Sequence, residues 1–138
     1  MPSEQVQIIW VVPESETSVL SAEARSVGGT AETPKRWVPD PNTIHKFGDQ
    51  MEPLMTVALI VSAGWLIQRL SDILLDHIHP QSQLVDMRVV PAVVHPAPYV
   101  KPPGTLVVLK REGGEDVEKK YPPERRDEAL AVLPKLFS

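Results

Sequence analysis

Asp72, Asp76 and His79 are the first residues of this chain whose types and spacing suggest chemistry. Spaced four and then three apart, they stack two carboxylates and an imidazole on one face of a helix, in reach of a single divalent cation. His77 and His79 are only two apart, so they share a metal only where the helix end unwinds. The competing reading is a solvated face. Two acids and a histidine on the wet side of an amphipathic helix are ordinary, and Arg69 on the same side opposes a cation. The solvated face prevails, and neither a metal nor another cofactor is expected.

Other chemistries find less support. The sequence holds no G-x-S-x-G elbow, no H-E-x-x-H and no Walker loop. Gly28-Gly29-Thr30 reads as a helix stop before it reads as a phosphate cradle. The acidic pairs Glu14/Glu16 and Glu115/Asp116 fall in expected loops with no second carboxylate placed opposite them, which leaves general acid and base work without a basis. Lys35-Arg36-Trp37 and the group Lys119, Lys120, Tyr121, Arg125 and Arg126 set cations beside aromatics, as single-strand binding requires. Glu118, Glu124, Asp127 and Glu128 dilute the second group, and the net charge is −4, so nucleic acid is not an expected partner. A protein-binding surface asks least of the sequence. Its candidates are Trp37, Trp65, Gln68, Arg69, Asp72, Asp76 and His79, with core packing as the alternative role for Trp65.

The element that must position most of these residues is a long helix expected over 49–79. Asp49 and Glu52 have capping-box spacing, Pro53 is tolerated in a first turn, and Pro80 ends the run. Leu54 to Ile67 is apolar on every face. Gln68 to Ile78 is amphipathic, with Leu70, Ile73, Leu74 and Ile78 on one side. The fourteen residues from Leu54 to Ile67 make roughly 21 Å of helix against a hydrocarbon core of about 30 Å, too short for a membrane span. Extending the span to Leu75 would bury Arg69 and Asp72 at roughly 2.5 to 3.5 kcal/mol each. The apolar half should therefore be covered by a sheet or by another subunit.

Around this helix, Val6 to Val12 reads as a central strand buried on both faces, and the start of the chain as a first strand rather than a signal peptide. A helix follows, capped by Ser15 or Thr17 and stopped at Gly28-Gly29. Thr30 to Val38 is an extended edge segment, and 39–43 a turn-rich loop. Leu84 to Val94 reads as a Val-rich strand weakened by Pro91, and 95–104 as a proline-rich extended loop. Thr105 to Arg111 and Val117 to Tyr121 form a hairpin with Gly113-Gly114 at its tip. A last helix begins near Pro123 and packs through Ala129, Leu130, Leu133 and Phe137.

With 138 residues the chain has the length of one domain with its own core, and it contains no cysteine, which excludes disulfides and thiolate chemistry. Its 15 prolines favour extended connections. The expectation is an α+β or α/β fold over 1–138: one small mixed sheet of four to five strands packed by two to three helices, with helix 49–79 at its centre.

Two stretches, GDQMEPLMTVALIVSAGWLIQRLSDILLDHI and GTLVVLKREGGEDVEKKYPP with the helix after it, resemble the effector-associated constant component domains, small bacterial modules encoded beside or fused to effectors of conflict systems. Together they cover about half of the chain. Val61-Ser62-Ala63-Gly64 stands where the family often has a G-S-G-G-like run, and the proline-rich 95–103 is not a family feature. The resemblance implies a non-enzymatic, cytoplasmic accessory module that contacts an effector or regulator, with no catalytic residues to carry over. The alternative is a structural subunit of a homo- or hetero-oligomer packing through 54–67. No stable membrane insertion is expected in either case.

Overall fold

The computed structural model describes residues 5–38, 53–76 and 82–137. In chain order these form β1 (Gln5–Pro13), α1 (Thr17–Ser26), β2 (Thr30–Ala31), β3 (Lys35–Arg36), β4 (Leu54–Ser62), α2 (Ala63–Asp76), β5 (Gln83–Asp86), β6 (Ala92–Pro96), β7 (Leu106–Glu112), β8 (Glu115–Tyr121) and α3 (Arg126–Leu136). The strands make one mixed eight-stranded sheet in the order β2-β4-β1-β6-β5-β7-β8, with β3 also pairing with β4. A sheet of four to five strands around a long central helix is therefore incorrect: among the described residues the structure is mostly sheet, with eight strands and three short helices.

The largest correction falls on 49–79. Leu54–Ser62 is a strand, paired with β1 along its whole length from Gln5↔Ser62 to Pro13↔Leu54, and only Ala63–Asp76 is helical. Thr56, Val57, Ile60 and Val61 are β-branched, which suits a pleated strand and stiffens a helix. An apolar run without periodicity fits a strand covered on both faces as well as it fits an enclosed helix. The switch to helix occurs at Ser62, whose Oγ accepts the Trp65 backbone N–H at 3.1 Å and so acts as the N-cap. The proposed cap at Asp49 and Glu52, the loop 39–43 and the helix end at His77 to Pro80 lie outside the described residues.

β1 is central, between antiparallel β4 and parallel β6. The expected strand 84–94 is instead two strands, β5 and β6, paired antiparallel around the turn 87–91. Pro96 belongs to β6, and the proline-rich segment that follows it folds back onto the sheet. α1 ends as the glycines required: Gly28 N–H donates to Arg25 O and Gly29 N–H to Ala24 O, a Schellman motif with Gly28 at φ +84°. Gly29 also has no room for a side chain, because a Cβ there would sit 2.5 Å from Ile60 O. Gly113 and Gly114, both at positive φ, close the β7–β8 hairpin at the expected tip.

All three helices cover one face of the sheet. Ile8, Trp10, Val57, Leu59, Val61, Val85, Val94, Leu106 and Val108 point toward Leu20 and Ala24 of α1, Leu66 and Leu70 of α2, and Ala129, Leu133 and Phe137 at α3, forming the main core. No helix among the described residues is long and apolar enough to cross a membrane.

Candidate functional site

Strand alternation sends the neighbours of those core residues to the opposite face of the sheet. Register aligns Ala58 of β4 with Ile9 of β1, Ile9 with Val93 of β6, Val93 with Asp86 of β5, and Asp86 with Leu109 of β7. Among the described residues this face carries no helix, and its two halves differ in cover. Over β5 and β7, the segment 97–104 lays Ala97 and Val100 against Leu84 and Val107 in a second, smaller core. Over β4, β1 and β6, Ile9, Ala58 and Val93 are half-buried and Ile60 is 41% exposed.

Ser82 pins the covering segment. Its buried Oγ donates toward Val100 O at 2.9 Å and Pro102 O at 3.2 Å, and accepts the Thr105 backbone N–H at 3.1 Å. Thr105 Oγ1 donates to Pro102 O at 2.6 Å, and Ala97 N–H to Ser82 O at 2.7 Å. A turn-rich chain lies flat on a sheet only when its backbone groups are met in this way.

Two polar features border the open strip. On one side Arg88 clamps Asp86 with two side-chain bonds of 2.9 Å, then reaches Asp116 at 3.1 Å, which also accepts from Arg111 at 3.2 Å. Burial of Asp86 works against its charge, but the Arg88 bonds outweigh it and hold the carboxyl below its ordinary range. The chain of alternating charges is neutral overall. On the other side, Trp37, just past β3, stacks on His95 of β6 with ring centroids 5.2 Å apart. His95 Nδ1 lies 2.8 Å from Pro96 O, which can only accept, so Nδ1 carries the proton. Burial lowers the His95 pKa, against the opposing pulls of that hydrogen bond and of Asp86.

The residues picked out from sequence do not form one surface. Trp65 packs edge-on against Trp10 at 6.3 Å on the helix-covered face and is mostly a core residue. Gln68 is exposed and Asp72 half-exposed on α2, while Arg69 Nε lies 3.4 Å from Glu23 of α1. Trp37 is on the other side of the sheet. Asp76 is in α2, and His79 lies outside the described residues, so the Asp72, Asp76 and His79 set falls partly outside them. No group of three or more metal-ligating side chains occurs among the described residues. The basic group does not hold together as free cations either: Arg125 is bound to Glu128 at 2.6 Å and Lys120 lies 3.6 Å from Glu118.

Ile9, Ile60, Ser82, Asp86, Arg88 and His95 escaped notice in the sequence. Asp86-x-Arg88 is a readable pairing signal. The role of Ile60 depends on recognising 54–62 as a strand. Compared with protein-family models, characterised proteins and solved structures, the chain matches none.

Proposed function

We propose that this chain is a non-catalytic accessory module that binds a protein partner on the open half of its sheet, coupling a bacterial effector to its regulator. The observation that carries this reading is the strip Ala58, Ile9 and Val93, half-buried and in register across three adjacent strands, with the exposed Ile60 beside it. Half-exposed aliphatics on a sheet face suit a docking surface whose rim is polar. The Asp86–Arg88–Asp116–Arg111 chain supplies such a rim without excess charge. The rival reading, a structural subunit packing through 54–67, needs side chains that the fold itself uses, since Val57, Leu59, Val61 and Leu66 are fully buried within the chain.

The test is binding to the proteins encoded next to this chain, measured by calorimetry with the wild type and with Ile60→Lys and Val93→Lys. Central contacts of an interface are worth about 2 kcal/mol or more, so each variant should weaken binding roughly 30-fold or more. Unchanged affinity in both variants, or no binding by any neighbour, would sink the proposal.

A further inference from the structure

The two lateral edges of the sheet are not equivalent. On one side β2 and β3 pair with β4, whereas at the other, among the described residues, β8 pairs only with β7. In the two-residue hairpin, Glu112↔Glu115 is the closing pair, and pairs that exchange both backbone hydrogen bonds recur at every second position. Val117, Lys119 and Tyr121 therefore turn their backbone groups toward β7. Asp116, Glu118 and Lys120 turn theirs outward.

We propose that this edge binds a second copy of the chain by antiparallel β8–β8 pairing, joining two sheets across a two-fold axis at Lys119. A two-fold perpendicular to the sheet requires each residue to meet one from the same face, which restricts the register. Centred on Lys119, Glu118 of each copy faces Lys120 of the other, so both outward-facing backbone pairs coincide with an opposite-charge pair. Val117 and Tyr121 face each other on the helix side, giving two aliphatic–aromatic pairs. Centring on Glu118 instead would oppose two carboxylates, and centring on Val117 would set Asp116 against Glu118.

The charges that discourage foreign strands at an edge are thus self-complementary here, which is the condition for an isologous contact. The one like-charge meeting is Lys119 with itself, on exposed four-carbon stems that can diverge. This interface uses neither Ile60 nor Val93, so it stands or falls apart from the docking face proposed above.

The absence of cysteine permits a direct test. In the proposed register, position 119 meets itself in a non-hydrogen-bonded pair, with Cα atoms about 4.5 Å apart, inside the disulfide range. Lys119→Cys should form a covalent dimer under mild oxidation, whereas Glu118→Cys, which faces Lys120, and Ala22→Cys, exposed on α1, should stay monomeric. By sedimentation equilibrium, Glu118→Lys should weaken the wild-type dimer about tenfold or more, and adding Lys120→Glu should restore it. A wild type that stays monomeric at millimolar concentration, cross-linking of Lys119→Cys no faster than Ala22→Cys, or failure of the charge swap to restore pairing would each overturn the proposal.

Discussion

Leu59 and Ile60 are consecutive residues of β4, yet they belong to different environments: Leu59 is sealed beneath the helices, and Ile60 looks out from the open face. The same contrast divides the whole sheet. One face is closed by three helices around a continuous core, while the other has a local clamp, the Ser82-anchored segment, over half its width. On the proposed function, stability and recognition are separated by the pleat of the strands, and a substitution should reveal which face it touches.

The widest separation is expected between those two neighbours. Leu59→Ala should cost about 2 to 5 kcal/mol in chemical denaturation, because it leaves a cavity under α1 and α2. Ile60→Thr, which keeps the β-branch, should cost less than about 1 kcal/mol. Similar losses for both would erase the distinction between the faces.

Ser82→Ala probes the clamp. It strips a buried partner from the Thr105 N–H and from the Val100 carbonyl, with an expected cost of about 1 to 3 kcal/mol. Hydrogen exchange should accelerate over 97–105 and stay unchanged in β1 and β4. Uniform acceleration would mean that the clamp is part of the main cooperative core.

The smallest effect is a pH dependence. The folded pKa of His95 lies below its ordinary 6.5, so the folded state binds fewer protons than the unfolded chain as pH falls through that value. The contribution of His95 is fully present above 6.5 and is lost as pH drops toward and through the folded pKa. Asp86 has the same sign in a more acidic window, with stability lost below its ordinary 3.8. Melting temperature should therefore decline on acidification below 6.5, and His95→Gln should flatten the first part of that decline. A wild-type profile that rises on acidification would reverse the assignment.

Much of the fold could be read from local chemistry. The central position of β1, the glycine stop of α1, the Gly113-Gly114 hairpin and the packing side of α3 each follow from side-chain branching, turn geometry or helical spacing. The run from Leu54 to Ile67 could not be read in this way. With apolar residues at nearly every position, neither a period of two nor of 3.6 stands out, and the choice between strand and helix passes to whatever lies alongside. The candidate surface inherited that ambiguity, because Ile60 has a face only once β4 is a strand.

The sequence alone therefore determined which segments are apolar, where the glycines must turn the chain, and that disulfide and thiolate chemistry are excluded. Tertiary structure decided that 54–62 is a strand, that Ser82 holds down the proline-rich segment, and that Trp37 and Trp65 lie on opposite faces. The reason is physical: a strand meets its backbone hydrogen bonds with a partner distant in the chain, and β1 lies more than forty residues before β4. No local pattern records that pairing, although it determines which side chains are left facing outward.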